Sequence, residues 1–260
     1  MTELPATVRQ LIDFADEDLR VVKDDIDAYA KREPMKTRSQ FNRQGTEEFF
    51  FIEIREPIPD SISWRTGDCA HRLRCALDHL IWQSTGIQSR RTGYPIKDHR
   101  ADFFRTQKKG PRRGRPSYDS GMYQIIGLRP LAQAFVESTQ PYQRTGPAFA
   151  LSALQWLDNT HKHQRIPVAS MVQHWMGHRH VPGATVHPLA TGTFTLVDGT
   201  YLTRVSYATP NPQVRVNLNM QGQIGVPHPD GSVFRLAGEL EIVRYYVVEE
   251  VLRPLAALLR

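Results

Sequence analysis

Cysteine is nearly missing from this chain of 260 residues, which holds only Cys69 and Cys75. Six residues apart on what reads as one helix, they stand about 9 Å apart along its axis and point in different directions, which no disulfide spans. A disulfide framework is therefore excluded, and a reduced, cytoplasmic protein is the expectation. Long apolar runs are missing too: none approaches the roughly 18 residues of a membrane helix, so no membrane partner is expected. The N-terminal stretch MTELPATVRQLIDFADEDLR lacks the basic start and apolar core of a signal peptide. Neither G-x-x-x-x-G-K-[ST] nor G-x-G-x-x-G occurs, nor the G-x-S-x-G elbow, which argues against kinases, dehydrogenases and α/β-hydrolases. Metal signatures of the H-E-x-x-H and C-x-x-C kind do not occur either.

What is present is an ordinary globular composition, 40% hydrophobic and 23% charged, with a net charge of +6. That excess has one address. Residues 100–115, RADFFRTQKKGPRRGR, hold seven of the 33 basic residues and one of the 27 acidic ones, leaving 26 of each elsewhere. A loop carrying Lys108, Lys109, Arg112, Arg113 and Arg115, with Phe103, Phe104 and Tyr118 nearby, is a candidate contact for an RNA backbone. The same Pro/Gly/Arg-rich composition is equally that of a solvated, partly disordered connection.

Apolar periodicity organises the rest. A helix is expected from about Ala6 to Arg32, with Leu11, Phe14, Asp18, Val22, Ile26 and Tyr29 on one face and Pro34 ending it. Residues 47–55, EEFFFIEIR, read as a short strand. A second long helix is expected from about Asp60 to Thr85, a loop over 94–118, and helical pattern at 119–139 and 147–163. From about 166 to 236 the period becomes two, as in Val214, Val216, Leu218 and Met220. Asp198-Gly199, between TFTLV and TYLTRVSY, signals a hairpin turn. The final stretch from Gly238 returns to helix, bent or ended near Pro254. The expectation is an α+β fold in a single domain spanning 1–260. Its helical part would cover about 1–165 plus 238–260, with an antiparallel sheet over about 166–236.

The segment RLRCALDHLIWQ, residues 72–83, is two-sided. At about 100° per residue, Leu73, Leu77, Leu80 and Ile81 form a core stripe widened by Ala70 and Ala76. The opposite side carries Asp68, His71, Cys75, Asp78, His79 and Trp82, with Arg74 at its edge. So polar and aromatic a side suggests a second buried face or a cleft. The spacing of Arg74 and Asp78 equally suits a plain i,i+4 ion pair.

Arg74-x-x-x-x-His79 resembles the R-x4-6-H signature of HEPN-type helical-bundle ribonucleases. That resemblance implies metal-independent RNA cleavage, with an imidazole moving the proton and a guanidinium holding the phosphate. It also implies a cleft shared by a homodimer. Cys75 stands where such families often have a polar residue. Arg74 and His79 lie about 140° apart around the helix, so they could act together only through a long side chain or a second subunit. The chain is also similar to bacterial proteins, without an established activity, that carry R-x-A-L-D-H-L, a later P-Y and then N-x-D-K-H. The corresponding residues are Arg74 to Leu80, Pro141-Tyr142, and Asn159-Thr160-His161-Lys162-His163, with His161 in place of the acid.

Asn159 and His163 share a helix face and could meet Asp78 and His79 across a bundle interface. The candidate catalytic set is thus Arg74, Asp78, His79, Asn159 and His163. The same Asn, Lys and His would also suit the closing turn of a helix. Six of the ten histidines fall between 161 and 187, and His178-Arg179-His180 would put two imidazoles on one side of a strand. This raises an alternative, a divalent transition metal on His178 and His180; otherwise no cofactor is expected. Three function classes stay open: a metal-independent RNA-cleaving or RNA-binding protein, a histidine-liganded metal protein, and a non-catalytic ligand- or partner-binding module.

Overall fold

The strongest 3.6-residue patterns become the longest elements. In the computed structural model α1 is Ala6–Lys31 and α2 is Asp60–Ser84. The structure describes residues 3–143, 149–178, 181–187, 196–210, 212–213, 215–216, 218–228 and 232–259, with backbone alone for 149, 169–178 and 218–222. Pro34 follows α1 through Glu33, whose φ of 50° turns the chain out of the helix. The buried residues of α1 are Val8, Ile12, Ala15, Asp18, Leu19, Val22 and Tyr29; of the expected face Asp18, Val22 and Tyr29 are buried, Leu11 and Ile26 half-buried, and Phe14 exposed. The Arg72 guanidinium lies 5.1 Å from the Phe14 ring centre and shields it instead of the core. Asp18, the acidic exception in the expected stripe, is fully buried and pairs with Arg65 at 3.0 Å and Arg72 at 3.1 Å.

The remaining helices are α3 (Arg100–Phe103), α4 (Gly121–Gln124), α5 (Pro130–Ser138), α6 (Phe149–His163), α7 (Leu236–Tyr245) and α8 (Arg253–Leu258). The expected helical stretch 119–139 is therefore broken. Ser120 caps α4 by accepting from the Tyr123 N–H at 3.2 Å, and Pro130 starts α5 where its missing N–H costs nothing. A π-helical segment, Tyr246–Leu252, joins α7 to α8 just before Pro254. A wider turn there accommodates a proline that cannot donate back along the helix.

The chain divides into two compact units. One comprises 1–22, 63–166 and 237–260, the other 23–62 and 167–236. Residues 23–62, expected with the helices, thus group with the strands. The second unit holds β1 (Met35–Phe41), β2 (Glu47–Ile54), β3 (Ala169–His178), β4 (Ala184–His187), β5 (Tyr201–Tyr207), β6 (Leu218–Pro227) and β7 (Val233–Arg235). Instead of one sheet they form two, both antiparallel, in the orders β1-β2-β5-β4 and β3-β6-β7. Phe50, Ile52, Leu202, Val205 and Tyr207 make the buried face of the four-stranded sheet. The turn at Asp198-Gly199 is formed, with Gly199 at a φ of 80°. It docks on β2, whose Ile54 N–H donates to Asp198 Oδ1 at 3.0 Å. Residues 193–195 of TFTLV, Val214 and Asn217 lie outside the described residues. The fold class is α+β, and no helix among the described residues is long and apolar enough to cross a membrane.

Within the first unit the predicted two-sidedness of α2 is real. Leu73, Ala76, Leu77, Leu80 and Ile81 are at most 1% exposed. Each such leucine contributes about 1.5–3 kcal/mol by burial. The other face runs along α6.

Candidate functional site

A seam of side-chain bonds ties α2 to α6 and the residues just after it. Ser63 Oγ donates to the Ile166 carbonyl at 2.7 Å, His161 Nε2 meets Asp68 Oδ1 at 3.2 Å, and His71 Nδ1 meets Asp158 Oδ1 at 2.8 Å. Partners advance along α2 as they retreat along α6 by the same number of residues, so the helices run antiparallel in fixed register. Gly67 makes the close approach possible, because a Cβ there would overlap the His161 ring. That ring stacks edge-on to Trp64, 6.0 Å between centres.

At the next turn the seam acquires chemistry. Cys75 lies four residues beyond His71 on the same face of α2, and its Sγ is 3.5 Å from His71 Nε2. Asp158, only 2% exposed, accepts from His71 Nδ1 and also from Lys162 Nζ at 2.6 Å. An ionised carboxylate can only accept, so the neutral form of His71 that fits this bond has its proton on Nδ1 and its Nε2 lone pair toward the thiol. Burial pushes the Cys75 thiol above its ordinary range, helped by the Asp78 and Asp158 carboxylates and opposed by Lys162 and Arg74. The resting pair is thus a neutral thiol on an imidazole. Both groups reach solvent, Cys75 in part and His71 with 44% of its side chain.

One position earlier, Arg74 faces a different neighbourhood. Its Nε and Nη2 donate to the two Asp78 oxygens at 3.2 and 3.1 Å, and Nη2 donates again to the Tyr94 carbonyl at 2.7 Å. Asp78 Oδ1 accepts from the Tyr94 N–H at 2.8 Å. The pair grips both backbone polar groups of one residue. Gly93 lets the chain come that close, since a Cβ there would sit 2.8 Å from Asp78 Oδ1. Tyr94 itself is fully buried, its hydroxyl bonded to Thr139 and its ionisation pushed up by burial.

Of the residues singled out from sequence, the structure brings together Arg74 and Asp78. His79, Asn159 and His163 are exposed, and among the described residues none of their side chains makes a hydrogen bond or ion pair. His180 and the His178 side chain lie outside the described residues; among those described, no group of three or more His, Cys, Asp or Glu could hold a metal ion. Sequence reasoning passed over His71, Cys75, Asp158 and Lys162 as site residues. The available signals were two i,i+4 pairs, His71 with Cys75 and Asp158 with Lys162, on facing helices.

The basic loop is an ordered hairpin. The Gln107 N–H donates to the Arg115 carbonyl at 2.9 Å, Gly114 N–H to Gln107 at 3.0 Å, and Ser117 N–H to Arg105 at 2.8 Å. Gly110 and Gly114 turn it with φ of 80° and 82°. At its base Arg105 pairs with Asp102 and Asp119. Arg112 lies over Tyr118 and Tyr123, 4.2 and 5.2 Å from the ring centres, and is therefore committed. Lys108, Lys109, Arg113 and Arg115 are exposed, and among the described residues none has an acidic partner. Compared with protein-family models, curated proteins and solved structures, the chain matches none.

Proposed function

We propose that this protein binds RNA through the hairpin at 105–117. The observation that carries the reading is the set of four exposed, unpaired cations, Lys108, Lys109, Arg113 and Arg115, on a turn held by backbone hydrogen bonds. Cations already neutralised by acids gain little from phosphates, whereas unpaired ones release counterions from the nucleic acid. A pre-ordered turn also loses less conformational entropy on binding than a disordered loop. Arg91 and Arg112 lie over the ring of Tyr118, 5.5 and 4.2 Å from its centre, and add two further cations beside the turn.

Cleavage by Arg74 and His79 is not part of this reading. Arg74 would have to leave Asp78 and the Tyr94 carbonyl to reach a phosphate.

Fluorescence anisotropy with a labelled RNA oligonucleotide tests it. Four phosphate contacts predict a slope of log affinity against log salt of about −3, or about fiftyfold weaker binding from about 50 to about 200 mM salt. Replacing the four cations by glutamate should abolish binding with the fold retained. Equal binding by that variant, or binding only to duplex DNA or anionic vesicles, overturns the proposal. Chelator-resistant cleavage lost in His79→Ala would favour the ribonuclease reading instead.

A further inference from the structure

We infer that Cys75, His71 and Asp158 form a catalytic centre for acyl transfer from reactive esters or thioesters, independent of the RNA-binding reading. The geometry is that of a nucleophile, a general base and a carboxylate that orients the base. Sγ and Nε2 are 3.5 Å apart, and Nδ1 and Oδ1 are 2.8 Å apart. The two contacts use opposite nitrogens of one ring, which is what a proton relay requires. Asp158 is buried and held on its other oxygen by Lys162 at 2.6 Å, so the orienting group is fixed. Cys75 and His71, by contrast, are both partly open to solvent.

The steps balance without a cofactor. As Sγ attacks the acyl carbon, the thiol proton passes to His71 Nε2. The C–O or C–S bond to the leaving group then breaks, and His71 returns the proton to that leaving group. A water, deprotonated by Nε2, attacks the thioester formed on Cys75; the Sγ–C bond breaks and the thiol recovers its proton. Because burial raises the thiol, proton removal accompanies attack rather than preceding it.

The substrate class follows from what surrounds the thiol. Cys75 lies in the interior of α2, where its N–H bonds within the helix and cannot stabilise an oxyanion. The cation close by, Lys162, is shared with Asp158. Such a centre suits acyl groups with good leaving groups and not ordinary amides. Cys75 and His71 are the catalytic residues, and Asp158 is a positioning residue.

The test uses the full chain and p-nitrophenyl acetate, following p-nitrophenolate release and the mass of the intact protein. One acetyl group per chain on Cys75 is expected, none on the buried Cys69, with slower release by hydrolysis. His71→Gln should slow acetylation of Cys75 by about a hundredfold or more. Asp158→Asn should slow it at least tenfold and shift its pH profile, a change that loss of packing alone would not give. Cys69→Ala should leave the rate unchanged. Acetylation of native wild type no faster than that of the urea-unfolded chain overturns the proposal, whether or not the variants fold. So does modification at Lys162 instead of Cys75, or an unchanged rate in a folded Asp158→Asn.

Discussion

Arg74 and Cys75 are neighbours in sequence, and about 100° of helix rotation sends them into opposite situations. Arg74 is 16% exposed in its side chain; Asp78 and the Tyr94 carbonyl take up the bonds of its Nε and Nη2, while its buried Nη1 has no partner among the described residues. Cys75 meets a lone pair on a ring whose other side is anchored, and it remains open to solvent. The four bonds that join Arg74, Asp78 and the Tyr94 backbone make the first arrangement a fastener. The incompleteness of the second, a thiol and a base with nothing yet to react with, makes it a reactive centre.

The contrast can be broken in order of expected effect. Arg74→Ala should cost about 2 kcal/mol in urea unfolding, because it removes the side-chain donor of the Tyr94 carbonyl and two of the bonds that hold Asp78. Cys75→Ala should cost less than about 1 kcal/mol while removing acyl transfer. Equal losses would erase the distinction. Gly67→Ala should cost about 2 kcal/mol by forcing the His161 ring off its seat against α2. It should also slow acyl transfer, since the seam sets the His71–Asp158 distance; unchanged kinetics would show that the seam does not set it.

Alkylation sharpens the comparison through pH. Iodoacetamide reacts with the thiolate, and burial holds both thiols above their ordinary range, Cys69 far above it. In the folded chain Cys75 should react slowly at neutral pH and reach half its maximal rate only above about pH 8.5, the midpoint of a free thiol. Cys69 should stay unlabelled. A plateau near neutrality for Cys75 would mean a preformed thiolate and a different mechanism. The smallest effect belongs to His79→Ala. Exposed and without bonded partners among the described residues, His79 should change stability by less than about 0.5 kcal/mol and leave acyl transfer intact.

Much of this could be read from sequence wherever the information is local. The limits of α1, α2 and α6 follow from apolar spacing and bounding prolines. The two faces of α2 follow from rotation alone, and the Arg74–Asp78 pair from its i,i+4 spacing. β1 could not be read this way: MKTRSQF is largely polar, and it becomes a strand by pairing with β2, which is held in turn by β5 some 150 residues further on. The active arrangement was hidden for the same reason. His71 and Cys75 share a local face, but their orienting carboxylate comes from 87 residues away on α6. Asp158 sits beside Asn159 in LDNTHKH, and helix rotation buries one and exposes the other. The order of the basic hairpin was equally out of reach, since composition reports its charge and not its hydrogen bonds.

The most direct measurement is the tautomer of His71, read from side-chain 15N NMR of the folded protein at about pH 8.5, where an ordinary imidazole is neutral. The relay predicts a proton on Nδ1, donated to Asp158, and a bare Nε2 facing Cys75. In Asp158→Asn that preference should weaken. A proton resident on Nε2 in the wild type would leave the thiol without a base and contradict the account.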